Sequence, residues 1–417
     1  MRKFLFTAAA LAAPIALAQP VLAAPGDPVK IADGITLDPI IDGRLRWEHV
    51  DQPATDADAL TLRLRAGAEV KHASGLSLLA EAEGTLAIAD SYNAFPFAIA
   101  DSQRRPAYSV VADPMNVELN RLQVQYKTKI TTTTLGRQRI NLDDQRFVGS
   151  VGWRQNEQTF DAVRGEAKLG PVMLDGTYAI SQRTIFGMDG GPRSAYDGHF
   201  FFGGIGAKLG PVNLKGFAYL LDYDLKEQGG TQAIALADTQ TWGARATAAF
   251  TLAPTAKLNL AASYAVQADW QNNPVDYSAD YIAAEAGLAV KNFTLMAGYE
   301  KLGSSNGRAV QTPMATLHKF NGWADLFLTT PASGLEDVYG GVAYKFTQVK
   351  ALPGLNAAVT FHRYNSHVGS VHFGNEWNAS LGFKLGRVNL LAKYADYDAR
   401  GFGSDTRKFW LQAEFAY

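Results

Sequence analysis

The stretch AKLGPVMLDG, residues 167–176, decides the fold, because the chain repeats it with little change. AKLGPVNLKG occupies residues 207–216, and a looser copy, FKLGRVNLLA, occupies residues 383–392. In each copy a glycine separates two segments in which apolar and polar residues alternate. Alternation with a period of two indicates a β-strand with one apolar face. Each copy therefore predicts the tip of a β-hairpin: strand end, tight turn, strand start.

The segment after the first turn shows which side chains share a face. Val172, Leu174, Gly176, Tyr178 and Ile180 alternate with Met173, Asp175, Thr177, Ala179 and Ser181. Five further segments join two alternating strands in the same way, at residues 70–79, 126–135, 251–260, 289–298 and 344–359. Together with the three copies they give eight short turns.

Longer and more polar segments separate these hairpins. There are nine of them, at residues 51–58, 91–114, 141–157, 187–198, 226–239, 271–279, 304–334, 367–374 and 399–405. Eight turns and nine loops join eighteen strands, and an even number places both chain ends on one side. Short turns on one side and long loops on the other are typical of outer-membrane barrels. The sequence therefore predicts an all-β fold: a transmembrane antiparallel β-barrel of about 18 strands, with short periplasmic turns and long extracellular loops. A soluble sandwich or propeller is disfavoured, since nothing would cover so many apolar strand faces.

The two ends of the chain indicate export and assembly. A basic start, an apolar run and small residues predict a signal peptide over residues 1–23, with cleavage after Ala23 or Ala18. We expect a short periplasmic segment over residues 24–40 and a single barrel domain over residues 41–417 in the bacterial outer membrane. The last strand ends in an aromatic residue and resembles the signature read by the barrel-assembly machinery. The expected partners of the protein are that machinery, which would bind through Phe415 and Tyr417, and outer-membrane lipid with lipopolysaccharide.

Lipid cannot solvate a charge, so the apolar faces should point outward and the opposite faces should line a lumen. Aromatic residues on the apolar faces should form the interfacial girdles: Trp242, Tyr264, Tyr299, Tyr344, Trp377 and Tyr394. The inner faces of the first strands carry two sets of charges. The basic set is Arg44, Arg46, Arg63, Arg65, Arg121 and Arg164, and the acidic set is Glu48, Glu69, Glu81, Glu83 and Glu166. Either these form a constriction that orients polar solutes, or they pair across strands and stiffen the sheet.

Barrel size favours a channel, because sixteen to eighteen strands leave an aqueous lumen unless something fills it. Loops must therefore narrow the passage, and residues 91–114 and 304–334 are long enough to fold inward. We expect 91–114 to be the constricting loop, above Arg121, with Arg104 and Arg105 extending the positive stripe. Lysines that precede turns are expected to form a solvated periplasmic rim: Lys168, Lys208, Lys291, Lys345 and Lys384.

Residues 135–170 resemble the alginate-export family of outer-membrane porins. The resemblance is carried by Gly136, Arg137 and Gln138 at a strand end, by Arg146, Phe147 and Gly149, by Trp153 and Arg154, and by Phe160, Asp161 and Arg164. It implies a barrel with an arginine-lined passage for anionic sugars.

The sequence thus predicts a porin for passive diffusion of polar solutes, with anionic or sugar-acid solutes favoured and a general non-selective porin as the alternative. A barrel enzyme is disfavoured because no G-x-S-x-G motif occurs and the chain has no cysteine. A net charge of −1 gives no global field for nucleic acid, which is not an expected partner. A metal site at His362, His367 and His372, or a calcium site in residues 143–147, is less expected than solvated loops. We therefore expect neither a metal nor another cofactor.

Overall fold

The computed structural model describes residues 28–224 and 236–416. Its strands, in chain order, are β1 (Val29–Ala32), β2 (Ile35–Asp51), β3 (Asp56–His72), β4 (Leu76–Ser91), β5 (Asn116–Lys127), β6 (Thr131–Gln138), β7 (Thr159–Leu169), β8 (Val172–Arg183), β9 (Ala195–Leu209), β10 (Val212–Tyr223), β11 (Thr239–Ala253), β12 (Ala256–Asp269), β13 (Ser278–Val290), β14 (Phe293–Leu302), β15 (Ser304–Ser305), β16 (Arg308–Ala309), β17 (Leu335–Lys345), β18 (Asn356–Asn365), β19 (His372–Leu385), β20 (Val388–Ala399) and β21 (Thr406–Ala416).

Eighteen of these strands, β2–β14 and β17–β21, pair antiparallel with their neighbours in sequence order. The sheet closes where β2 pairs with β21, from Asp42 opposite Ala416 to Asp51 opposite Arg407. The predicted eighteen-stranded barrel is therefore confirmed. β1 folds back onto β2, and β15 and β16 form a small separate ladder in the loop after β14. No helix in the described ranges is long and apolar enough to cross a membrane.

The repeated decapeptides form equivalent turns at one rim of the barrel. They join β7 to β8, β9 to β10 and β19 to β20. In all three the glycine, Gly170, Gly210 or Gly386, has a φ of 63°, 61° or 58°. This left-handed backbone is accessible to glycine without the steric cost that a side chain brings, and tight hairpin turns use it. The chain repeats the motif because the same two-residue turn recurs.

The alternation assigns the two faces of the wall as predicted. Leu174 lies on the outside with 37% of its surface exposed, whereas Asp175 points inward and pairs with Lys215 at 3.1 Å. Outward-facing aromatics include Trp242, Tyr264 and Trp377, each more than half exposed. An apolar exterior and a polar interior are what a barrel in lipid requires.

The barrel begins earlier than predicted. β2 starts at Ile35 and pairs with β3 along its whole length, so residues 35–40 belong to the wall and not to a periplasmic segment. Polar residues in this stretch obscure the strand pattern in the sequence. In the structure Asp38 lies inside the barrel and accepts a hydrogen bond from Lys71 at 2.7 Å. The predicted signal peptide and the terminal Tyr417 lie outside the described residues.

Candidate functional site

Two long loops fold into the lumen and meet there. The first inner loop (residues 139–158) connects β6 to β7, and the second inner loop (residues 303–334) connects β14 to β17. The amide of Gly149 donates to the carbonyl of Met314 at 2.8 Å, and the amide of Thr316 donates to the carbonyl of Gln145 at 3.1 Å. The side chain of Gln158 adds a bond to the Met314 carbonyl at 3.0 Å. The two loops therefore form one partition across the barrel.

The family motif marks the point where the first inner loop leaves the wall. β6 ends at Gln138, and Gly136 adopts a φ of 113° in contact with the backbone of Leu122. On the inner side, the Gln138 amide donates to the carbonyl of Ala162 at 2.9 Å. The wall turns into a loop here because glycine permits the bend and Gln138 ties the bend to β7.

Arg137 holds the same bend from the outside. Its guanidinium contacts Asp161 through two bonds, Nε to Oδ1 at 2.8 Å and Nη2 to Oδ2 at 2.9 Å. Its Nη1 donates to the carbonyl of Leu119 at 3.1 Å, on a part of β5 that has no β6 partner, since β5 and β6 pair only from Leu122 to Lys127. A bidentate Arg–carboxylate pair is the strongest type of charge-assisted contact between side chains. Arg137 and Asp161 therefore anchor a loop and do not face the lumen.

The predicted basic wall lies beneath the first inner loop. Arg44 and Arg46 are buried and donate to the carbonyl of Trp153 at 3.0 and 2.5 Å. The guanidinium of Arg46 also stacks over the Trp153 ring, 4.0 Å from its centre, and Arg44 pairs with Glu414 at 2.7 Å. Of the two alternatives for these arginines, the exposed constriction is therefore wrong for Arg44 and Arg46: they hold the loop against the wall and are closed off from open solvent.

The remaining charges of this wall are also paired. Arg63 pairs with Asp42 and Glu414, and Arg65 pairs with Glu83 and with Glu157 of the first inner loop. Burial alone would raise the pKa of Glu157, but the guanidinium groups of Arg139 and Arg65 hold it below its usual range. The other members form pairs that stay partly exposed or reach the loop: Arg121 with Glu81 (2.6 Å), Arg164 with Glu166 (2.9 Å), Lys71 with Glu69 (3.1 Å) and Arg154 with Glu48 (3.3 Å).

A buried cluster fastens the two inner loops to the last strands. The ring of His318 stacks on Trp153 with 4.5 Å between ring centres, and its Nδ1 lies 2.7 Å from Asp325. Lys393 of β20 approaches the His318 Nε2 at 2.7 Å, and Lys408 of β21 pairs with Asp325 at 3.0 Å. An ammonium at Lys393 donates to Nε2 only when that nitrogen is unprotonated, which corresponds to a neutral His318 with its proton on Nδ1 toward Asp325. Burial lowers the pKa of His318 well below its ordinary value, in agreement with this geometry.

A recess lies on the opposite side, between the inner loops and the wall of β11–β14 and β17. It is bordered by Arg245, Glu285 and Tyr339 of the wall and by Lys319 and Phe320 of the second inner loop. This recess is not signalled by the sequence, because the strands around it carry few charges.

Two cations face Asp144 at this recess. Arg245 Nη1 lies 2.7 Å from the Asp144 carboxylate and donates to Ser263 at 2.8 Å, while Lys319 donates to the Asp144 carbonyl at 2.7 Å. Burial lowers the pKa of Lys319, and the Asp144 carboxylate opposes that effect. Beside them, Lys215 bridges Asp143 at 3.2 Å and Asp175 at 3.1 Å.

The carboxylates of the recess already have donors. Glu300 forms an ion pair with Arg146 at 2.8 Å and accepts hydrogen bonds from Tyr281 at 2.8 Å and from Asn321 at 2.7 Å. Glu285 accepts from Tyr339 at 2.9 Å, and Asp337 contacts His362 at 3.0 Å. The carboxylates around the recess therefore already have donors or cationic partners. The cations Arg245 and Lys319 have fewer partners.

The loop predicted to narrow the passage (residues 91–114) stays mostly at the extracellular rim. It packs there through Phe97 against Phe186, with 4.8 Å between ring centres. Arg104 and Arg105 are bound to the carbonyl of Phe97 and to Asp90 at this rim, and they do not extend a stripe into the lumen. Phe95 and Val111 of the loop are buried with Val50 of the wall, and deeper in the barrel Asp113 accepts from the amide of Gln155 at 2.8 Å.

The histidines considered for metal binding lie apart from one another in their contacts. His362 bonds Asp337, His367 accepts from the amide of Ser304, and His372 contacts the carbonyl of Tyr364. Within residues 28–224 and 236–416, no group of three or more His, Asp or Glu side chains is arranged to hold a metal ion.

A closed barrel that is apolar outside, polar inside and narrowed by inward-folded loops defines an outer-membrane channel. The chain belongs to the alginate export family, whose model matches residues 51–296. A comparison with curated protein sequences finds no match. The family and the fold are those of channels of the bacterial outer membrane, and not those of enzymes.

Solved outer-membrane proteins share this fold over nearly their whole length. OccAB4 of Acinetobacter baumannii is 13% identical, with a TM-score of 0.70 over 91% of this chain and 98% of that chain. OpdK of Pseudomonas aeruginosa, solved with vanillate, is 14% identical, with a TM-score of 0.68 over 91% and 98%. OpdL of Pseudomonas aeruginosa is 15% identical, with a TM-score of 0.65 over 93% and 99%. At these identities the likeness shows the fold alone.

Proposed function

We propose that this channel conducts polar solutes by passive diffusion, favours small carboxylates and sugar acids, and admits them through the recess beside Arg245. The observation that carries the proposal is the arrangement of Arg245 and Lys319 around Asp144. Both contacts of Arg245 use its Nη1 nitrogen, so within the described residues its Nε and Nη2 groups keep their N–H donors for a solute. A guanidinium matches a carboxylate in plane and charge, so a passing acid gains a favourable contact.

Two comparisons support the same solute class. The family is described by the export of alginate, a polymer of sugar acids, and the similar OpdK barrel was solved with vanillate, an aromatic carboxylate. Vanillate and a monomeric uronate are therefore the first solutes to test.

A general non-selective porin is the second candidate, and a specific observation favours it. Glu285, Glu300 and Asp337 line the same recess as Arg245 and Lys319, so formal charge there is not positive. Selectivity for anions thus depends on Glu300 and Asp337 staying paired with Arg146 and His362, and on Glu285 staying hydrogen-bonded to Tyr339.

Reversal potentials in planar bilayers across a salt gradient test the proposal. The double variant Arg245→Gln/Lys319→Gln should shift the reversal potential toward cation selectivity at about 0.1 M salt and much less at about 1 M, where charges are screened beyond about 3 Å. Arg400→Gln/Arg407→Gln removes two cations from the extracellular rim and serves as the matched control. Unchanged selectivity at low salt in the recess variant would establish the general porin instead.

A further inference from the structure

Three tryptophan side chains surround the ammonium group of Lys393. Its Nζ atom lies 3.8 Å from the ring centre of Trp153, 3.8 Å from that of Trp323 and 5.2 Å from that of Trp410. A cation within about 6 Å of an aromatic ring centre is attracted by the negative face of the ring, and tryptophan gives the strongest attraction. These four side chains, here called the tryptophan cage, are therefore arranged around one positive charge.

The tryptophan cage joins separate parts of the chain. Trp153 belongs to the first inner loop and Trp323 to the second, whereas Lys393 lies on β20 and Trp410 on β21. Each loop brings one ring to the ammonium group, and the barrel wall brings the ammonium group and the third ring. Trp153 and Trp410 also touch edge to face, with 5.9 Å between ring centres. One cation thus connects both inner loops to the wall.

The cage is closed to solvent. The exposed fractions are 7% for Lys393, 6% for Trp153, 9% for Trp323 and 0% for Trp410. Lysine is rarely buried to this extent unless its charge has a partner. Cation–π attraction is stronger when both partners are desolvated, so burial strengthens the contacts that the cage makes.

The polar contacts of Lys393 leave the ring faces as a main compensation for its buried charge. Nζ lies 2.7 Å from the Nε2 atom of His318, an acceptor in the neutral tautomer described above. The carboxylate of Asp325 is engaged by His318, Arg154 and Lys408, at 2.7, 2.9 and 3.0 Å. A buried charge is unfavourable unless it is compensated. The rings therefore stabilise the ammonium group, and the ammonium group holds the rings.

The indole N–H groups indicate that the rings are used for their faces. A buried tryptophan usually donates its N–H to a partner. Within the described residues, the Nε1 atoms of Trp153 and Trp410 make no hydrogen bond. Phenylalanine would fill much of the same space without an unsatisfied donor. The stronger attraction between an indole face and a cation gives a physical reason for tryptophan at both positions.

We infer that Lys393 is a positioning residue that sets the width of the constriction and makes the two inner loops open as one gate. A loop that leaves the cage lets water reach the ammonium group, and hydration then competes with the ring of the other loop. This coupling adds to the backbone hydrogen bonds between the loops. The inference concerns the width of the passage and does not depend on which solute the channel favours.

Fluorination of Trp323 tests the inference with little change of shape. Fluorine withdraws electron density from the indole face, so it weakens the attraction for a cation. Tryptophan analogues with one, two, three or four fluorine atoms are introduced at position 323 by stop-codon suppression. Single-channel recordings then give the fraction of time spent at higher conductance. We expect this fraction to rise stepwise with each fluorine, by about tenfold in total.

Variants of Lys393 separate its charge from its volume. Lys393→Met keeps a side chain of similar length without the charge, and we expect frequent openings that fluorination of Trp323 no longer changes. Lys393→Arg keeps a cation and should retain part of the quiet conductance. Lys384→Met removes an exposed lysine near a turn of the barrel and is the matched control, expected to behave like the unmodified chain. A quiet conductance in Lys393→Met, or openings that fluorination does not affect in the unmodified chain, would overturn the inference.

A cysteine in the second inner loop tests whether the loops open together. Ala324 is buried beside Trp323, so Ala324→Cys should react slowly with a methanethiosulfonate reagent. Trp153→Leu, a change confined to the first inner loop, should speed this reaction about tenfold by removing one ring from the shared cation. In Lys393→Met the same change should add little, because coupled residues are not additive. An equal acceleration with and without Lys393 would show that the loops are not coupled through the cage.

Discussion

Arg137 and Asp161 form a bidentate ion pair on the outer, lipid-facing side of the wall, at 2.8 and 2.9 Å, where the first inner loop turns into the lumen. A charge facing lipid is unfavourable, so the pair needs a structural reason. The upper part of β5 has no β6 partner, and Arg137 donates a hydrogen bond to its Leu119 carbonyl. This hydrogen bond is the structural reason for the pair. The family motif thus stabilises the constriction from outside the barrel.

Breaking this pair on one side should cost more than removing it. Asp161→Asn leaves the Arg137 guanidinium without its counter-charge, and we expect a loss of about 1–4 kcal/mol in the free energy of unfolding, depending on depth in the bilayer. The double variant Arg137→Gln/Asp161→Asn should recover part of that loss. Urea-induced unfolding in lipid vesicles measures both. Additive losses in the double variant would show that the two residues act independently.

The face assignment predicts opposite responses at two adjacent positions. Leu174→Arg puts a charge into lipid and should cost about 2–4 kcal/mol if the site lies near the midplane, which reduces assembly of folded barrel. Asp175→Asn removes only the partly exposed contact with Lys215, and we expect less than about 1 kcal/mol. The heat-modifiable shift of the folded barrel on gels gives the folded fraction. Comparable damage from both variants would contradict the assignment.

Arginines beneath the first inner loop should control how firmly that loop is held. Arg65→Gln leaves Glu83 and Glu157 without their shared partner in a buried site, and such a loss typically costs about 3–5 kcal/mol. The loop should detach more often, so single-channel records should show larger and noisier conductance. Arg245→Gln, at the recess, should change ion selectivity while the conductance level stays stable. A quiet, unchanged conductance in Arg65→Gln would mean that the loop is held elsewhere.

Acid should loosen the second inner loop through His318. Because the folded pKa of His318 lies well below its ordinary value, the folded protein binds fewer protons there than the unfolded chain. The stabilising contribution is therefore present above pH of about 6.5 and is lost as the pH falls toward the folded pKa, by at most about 1.4 kcal/mol per pH unit.

Asp325, which faces His318, is not expected to produce this effect itself. Although burial opposes it, contacts with His318, Lys408 and Arg154 hold the pKa of Asp325 well below its ordinary range, so Asp325 stays ionised. We expect loop-opening fluctuations of the current to become more frequent between pH 7.5 and pH 5, and His318→Gln, which keeps an acceptor toward Lys393, to remove this dependence. A pH response that persists in His318→Gln would assign it to another group.

Strand number, turn positions and wall faces were predictable from the sequence because a strand in lipid needs an apolar side chain at every second position. The start of β2 was missed where Asp38 and Asp42, both turned inward and paired, interrupt that pattern. The charges on the first strands were identified as inward-facing. The sequence pattern of an inner face is the same whether water or a folded loop covers it, so the burial of these charges was not predicted.

Residues 304–334 were identified by their length as able to fold inward, and they form the second inner loop. The first inner loop and its contacts with the second could not be located from the sequence, because these contacts join residues far apart in the chain. Gly149 meets Met314, and Trp153 stacks on His318, across more than 150 positions. Gly136 and Gln138 did carry a signal, since a glycine at a strand end followed by a buried amide marks a bend. The recess beside Arg245 had no such signal in the sequence.

The central claim is that solutes pass beside Arg245 and not along the buried arginines, and the absence of cysteine from the chain allows a direct test. Single cysteines are introduced at Ala283, which lines the recess, and at Thr61, which is buried against Gln155 of the first inner loop. A negatively charged methanethiosulfonate reagent is then added during single-channel recording. We predict stepwise, irreversible loss of current in Ala283→Cys and no change in Thr61→Cys. Modification of Thr61→Cys with Ala283→Cys unaffected would contradict this account of the passage.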